Sequence, residues 1–77
     1  MEEKVRNAMK AVNEKLLDYE GENFFDAGLL DSLQVVNLVV GLENEFDIEI
    51  DANYLREENF KSRDAILDMM KGILGSV

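Results

Sequence analysis

No cysteine, histidine, proline or tryptophan occurs in this 77-residue sequence, and only 8 lysines and arginines stand against 17 aspartates and glutamates. Each shortage excludes something. Without cysteine there is no disulfide framework and no thiolate metal site, which fits a reducing compartment and makes the cytoplasm the expected location. Without histidine or cysteine, no serine here can join a Ser-His-Asp triad, and the usual transition-metal ligands are missing. A serine–lysine pair is the remaining nucleophilic arrangement, but Lys4, Lys10, Lys15, Lys61 and Lys71 fall on amphipathic or solvated segments, with no sign of burial to activate an amine. The chain is expected not to be an enzyme. The deficit of basic residues leaves a formal net charge of -9, which disfavours nucleic acid and favours basic protein partners. Long apolar runs are missing too. Met1-Glu2-Glu3-Lys4 opens too acidic for a signal peptide, and nothing approaches the ~20 apolar residues that span a bilayer, so no membrane insertion is expected.

What is present is a periodic, 47% hydrophobic chain, expected to fold as one domain over residues 1–77 and to act as a monomer. Apolar residues recur at three- and four-residue steps from Glu2 to Leu17, at Val5, Ala8, Met9, Val12 and Leu16, which predicts an amphipathic first helix. Turn formers from Asp18 to Asn23 end it. A long connection to Asp31 follows, and Phe24, Phe25, Leu29 and Leu30 are expected to anchor it on the core. The second helix is expected from Ser32 to Phe46. Asp47-Ile48-Glu49-Ile50-Asp51 alternates like a strand but has no second strand to pair with, so it reads as an extended connector with Ile48 and Ile50 in the core. Asp51 is expected to cap a short helix around Ala52 to Arg56, ended by Glu57-Glu58-Asn59. Ser62 is a good cap for a last helix, with Asp64 in its first turn and Ile66, Met69, Met70 and Ile73 along one face up to Gly75. The fold class is all-α: a small bundle of three longer helices and one short one.

The carboxylates of Asp47, Glu49 and Asp51 lack the glycine-centred spacing of a calcium loop and read as a solvated acidic turn, with weak divalent attraction the alternative. Gly21 and Gly28 stand too far apart for a phosphate-cradling loop and read as turn glycines.

The informative stretch is Gly28-Leu29-Leu30-Asp31-Ser32-Leu33. Asp31 reads as an N-cap, with Gln34 three residues on, so Ser32 lies in the first turn of the second helix. Its hydroxyl is expected to point outward at the positive end of a helix dipole, where unpaired N–H groups favour a phosphate. Along this helix the apolar residues form two arcs. Val35, Leu38, Val39, Leu42 and Phe46 make a core stripe; Leu33, Val36 and Val40, with Glu43 and Asp47, make a second, which suits a partner with apolar and basic groups. The alternative is a central helix buried on two sides.

Phe25-Asp26-Ala27-Gly28-Leu29-Leu30-Asp31-Ser32-Leu33, continuing to Leu42-Glu43-Asn44-Glu45-Phe46-Asp47-Ile48-Glu49-Ile50, resembles the acyl and peptidyl carrier proteins. The likeness extends to chain length and helix layout, and the wording Gly-Leu-Leu-Asp-Ser most resembles stand-alone D-alanyl carrier proteins. Typical fatty-acid carriers have acidic residues where this chain has Gln34 and Asn37. The resemblance implies an acyl-carrier-protein-like fold in which Ser32, beside Asp31, accepts a 4′-phosphopantetheine arm from coenzyme A through a separate phosphopantetheinyl transferase. The arm's thiol would carry acyl or aminoacyl groups as thioesters between a loading ligase and acyltransferases or synthases, with Leu33, Val36, Val40, Glu43 and Asp47 as the partner face. The competing expectation is an acidic helical adaptor of the same fold that binds partners without a prosthetic group.

Overall fold

The computed structural model describes residues 2–75; Met1, Ser76 and Val77, the ends of the expected domain, lie outside the described residues. The helices are α1 (Glu2–Val12), α2 (Ser32–Phe46), α3 (Glu57–Phe60) and α4 (Arg63–Gly75), with 3₁₀ turns at Glu14–Leu17 and Ala52–Tyr54, and no strand occurs among the described residues. Three longer helices and a short one match the all-α expectation.

α1 begins with Glu2 and Glu3 and carries Lys10 in its last turn, both suited to the helix dipole, and it buries Val5, Ala8 and Met9. It stops five residues earlier than periodicity predicts. Asn13 takes an extended backbone (φ -163°, ψ 109°), and its side-chain oxygen accepts a hydrogen bond from the Lys15 N–H at 3.0 Å. Asparagine offers the backbone this local alternative to helix. The chain restarts as a 3₁₀ turn that returns Leu16 to the core, so the apolar period runs on across the break and conceals it.

The connection from Asp18 to Asp31 is ordered. Phe24 and Leu30 are buried, Phe25 and Leu29 pack half-buried against the same core, and the Phe24 N–H donates to the Lys61 carbonyl at 2.6 Å. Arg63, at the start of α4, clamps the other side: its Nη1 donates to the carbonyls of Leu16 (2.9 Å) and Tyr19 (2.5 Å), and its Nη2 lies 3.7 Å from Glu20. Gly28 turns the chain toward Asp31 with φ 75°, a conformation that costs a residue with a Cβ.

α2 lies most extensively against α1. Leu38, Val39 and Leu42 are buried and Val35 and Phe46 partly so, as the first arc predicts. Gly41 permits the approach, since a Cβ there would sit 3.4 Å from that of Ala8. The helix ends at Asp47, whose left-handed backbone (φ 54°, ψ 50°) sends its N–H to the Glu43 carbonyl, which also accepts from the Ile48 N–H at 3.1 Å.

The connector places Ile50 in the core and Ile48 against it, and Asp51 Oδ1 accepts from the Asn53 N–H at 2.8 Å. The helix expected from Ala52 to Arg56 is instead a single 3₁₀ turn ending at Tyr54, and Glu57-Glu58-Asn59 opens a new helix instead of ending the old one. Arg56 between them is extended (φ -122°, ψ 144°). Two adjacent carboxylates suit the positive N-terminus of α3 better than the C-terminus of a preceding helix. Burial of Phe60 at the end of α3 fixes that turn onto α4. Ser62 caps α4 as expected, its Oγ accepting from the Ala65 N–H at 3.1 Å, and Ile66, Met69 and Met70 are buried with Ile73 beside them.

Candidate functional site

The site is built on the first turns of α2. Asp31 stands before it with an extended backbone (φ -135°, ψ -178°), its Oδ1 accepting from the Gln34 N–H at 2.9 Å and its carbonyl from the Val35 N–H at 2.9 Å. One carboxylate oxygen of Asp31 is thereby committed to starting the helix. Ser32, immediately inside, is exposed at the end where the helix dipole is positive. A hydroxyl here can act as an acceptor of a transferred group, and the helix end favours the charge of a phosphate placed on it.

The second arc is not core. Leu33, Val36 and Val40 are 70%, 52% and 48% exposed, and Leu55 joins them at 43%. Broad burial of α2 on two sides is therefore not the arrangement found. The acidic residues expected beside it, Glu43 and Asp47, stand toward the C-terminal end of α2, since no charged residue occurs from Ser32 to Leu42. Glu43 is half-buried and its Oε2 accepts from the Ile50 N–H at 2.8 Å, so one oxygen of this carboxylate holds the connector in place. Asp47 is exposed at the far end of the helix.

Beside Ser32 lies a cleft of about 290 Å³, lined from α2 by Ser32, Val35 and Val36, from the preceding loop by Phe25, and from across the molecule by Leu55, Arg56 and Glu57. Periodicity could not assign the last three to Ser32. They reach it because the chain breaks at Arg56 between the 3₁₀ turn and α3, and no extensive contact between α2 and α3 closes the gap. Among the described residues no group of three or more carboxylates converges as a metal site, and no helix is long and apolar enough to cross a membrane.

A family model described as the phosphopantetheine attachment site matches residues 3–59, a span that includes Ser32, its cap and the cleft. The chain belongs to this family of phosphopantetheine carriers. Its cofactor is accordingly covalently bound 4′-phosphopantetheine, on which the carrier tethers acyl or aminoacyl groups as thioesters for enzymes to load and unload. Family membership supports this reading over that of an adaptor without a prosthetic group. The carrier is 36% identical to a D-alanyl carrier protein of Streptococcus uberis over 72 residues, which cover 92% of this chain and 91% of that one. It is also 36% identical to one of Streptococcus sanguinis over 55 residues (71% and 70%) and 26% identical to one of Leuconostoc citreum over 74 (96% and 95%). No solved structure matches the carrier significantly.

Proposed function

We propose that Ser32 is the residue to which the 4′-phosphopantetheine is joined, and that the cargo is an aminoacyl group, with D-alanine the candidate from the names of the relatives. The observation that carries this reading is an exposed serine in the first turn of α2, directly after a cap that fixes the turn. The surroundings suit the group: the helix end favours a phosphodiester, and the cleft offers apolar side chains and a guanidinium. In the attachment step the Ser32 Oγ bonds to the phosphorus that bears the pantetheine of coenzyme A. The pyrophosphate bond breaks, adenosine 3′,5′-bisphosphate leaves, and the hydroxyl proton passes to a base of the transferase. Ser32 is a substrate in that reaction and not a catalyst, because this chain has no histidine or cysteine to activate it. Once in place, the group supplies a thiol for thioester formation.

The partners in this reading are a phosphopantetheinyl transferase, an aminoacyl-loading ligase and the acyltransferase or synthase that receives the cargo, all meeting the carrier in the cytoplasm. Leu33, Val36 and Val40 form the common docking face, with Asp47 at its edge and Glu43 contributing whichever oxygen the connector leaves free. The absence of charged side chains on α2 itself from Ser32 to Leu42 favours apolar burial over charge pairing as the source of affinity, consistent with contacts that form and dissolve at every transfer. Incubation with coenzyme A and a phosphopantetheinyl transferase, followed by intact mass measurement, is expected to add one phosphopantetheine to the wild type and none to Ser32→Ala. No addition under conditions that modify another carrier would overturn the assignment. Loading the product with a D-alanine ligase and ATP then tests the cargo, and equal loading with L-alanine would remove the preference.

A further inference from the structure

Arg56 stands on a ridge between two depressions. On one side it lines the cleft of about 290 Å³ that Ser32 lines; on the other it borders an open groove of about 680 Å³ with Tyr54, Asn59, Lys61 and Asp68. Its backbone is tied down. The Arg56 N–H donates to the Tyr54 carbonyl at 2.8 Å, its carbonyl accepts from the Asn59 N–H at 3.0 Å, and Asn59 Nδ2 holds the Tyr54 carbonyl at 2.9 Å. Its guanidinium is held loosely. Nη1 lies 3.4 Å from Glu58 Oε1, and both side chains are 67% exposed, a geometry whose ion pair is readily exchanged for a better one.

Of the residues that line the cleft with Ser32, Arg56 alone is cationic, while Phe25, Val35, Val36 and Leu55 supply apolar walls. A planar guanidinium matches the paired oxygens of a phosphodiester better than a single carboxylate oxygen at 3.4 Å. The carrier's net charge of -9 makes that local cation matter, because a phosphodiester on this molecule enters a repulsive field. Resting on Ser32 as the attachment residue, we infer that Arg56 is a positioning residue for the arm. It exchanges Glu58 for the phosphodiester and lays the branched aliphatic part next to the phosphate against Phe25, Val36 and Leu55. The cargo end stays in solution. Since Glu58 competes for the same guanidinium, the docked state is partial and sensitive to salt, and a partner enzyme covering the ridge can draw the arm out.

The test uses the full chain carrying the group, verified by intact mass, so that failure of attachment is seen before Arg56 is examined. Cross-peaks between the geminal methyl protons of the arm and the side chains of Phe25, Val36 and Leu55 report docking, and the ³¹P shift across a salt titration reports the charge contact. In Arg56→Gln the cross-peaks are expected to weaken about two- to five-fold, the factor a surface ion pair supplies, and the salt-dependent ³¹P shift to vanish. Glu58→Gln is expected to strengthen both signals, and Lys61→Gln, which removes a cation only from the opposite groove, to leave them unchanged. Absence of cross-peaks in the wild type, their persistence in Arg56→Gln, or an equal loss in Lys61→Gln would overturn the assignment.

Discussion

Replacing Leu33, Val36 and Val40 together by alanine separates the outward face of α2 from its inward face. Fully burying an aliphatic side chain is worth about 1.5–3 kcal/mol, but these three keep 48–70% of their surface in water already. Each truncation therefore forfeits on the order of 0.5 kcal/mol of burial, and alanine returns roughly 0.2–0.6 kcal/mol in helix propensity. The two effects nearly cancel. The triple variant should lose less than ~1 kcal/mol, a melting shift below about 6 °C for a chain of this length. Leu42, fully buried on the opposite face of the same helix, is the contrast: Leu42→Ala should cost ~2–5 kcal/mol. That is a large part of the roughly 4–12 kcal/mol expected for the whole domain. Urea unfolding followed by circular dichroism measures both, and modification by a phosphopantetheinyl transferase at low carrier concentration measures docking. The triple variant should remain folded and be modified at least about ten-fold more slowly, which asks for only ~1.4 kcal/mol of lost interface burial spread over three side chains. If it loses as much stability as Leu42→Ala, the outward arc belongs to the core. If it is folded and modified at the wild-type rate, the arc is not the docking face.

Arg63→Ala should destabilise the domain by ~1.5–3 kcal/mol, because the guanidinium bonds to two carbonyls that are left without it, and chemical denaturation reads the loss directly. Asp47→Asn keeps a residue that tolerates the left-handed backbone and removes a negative charge from the negative end of α2. Its midpoint of unfolding should therefore rise, by the equivalent of ~0.3–1 kcal/mol; an unchanged or lower midpoint would mean that Asp47 makes a favourable contact. Moderate salt should raise the melting temperature of the wild type by screening the repulsion of its -9 charge, and a flat or falling salt titration would contradict this.

The placement of charge bears on how such a carrier meets its enzymes. An acidic protein is expected to attract basic partners at long range. Yet α2 carries no charged side chain from Ser32 to Leu42, and the carboxylates at the two ends of that stretch each have an oxygen engaged, Asp31 with the Gln34 N–H and Glu43 with the connector. In the proposed docking mode, long-range attraction and short-range fit fall to different parts of the molecule: the acidic remainder of the chain would speed encounter, and the face of Leu33, Val36 and Val40 would distinguish partners by shape and apolar area.

Much of this protein follows from local chemistry and is legible without coordinates. The cap at Asp31, the extent of α2, the Ser62 cap of α4 and the core role of Ile50 each depend on one residue type or a short-range period, signals that a sequence displays directly. The same holds for the exposed serine and for the exclusion of a catalytic triad. The break at Asn13 was not legible, because Leu16 returns to the core on the expected period whether or not the helix is continuous, and the start of α3 was not legible because Glu57-Glu58-Asn59 reads equally as the end of a preceding helix. Tertiary packing alone decided the rest. Arg63 reaches back 44 and 47 residues to hold a loop, the Glu43 carboxylate turns to the connector, and Leu55, Arg56 and Glu57 come to the cleft beside Ser32. A side chain's neighbours across the fold are set by where the whole core closes, and no spacing within a helix records that.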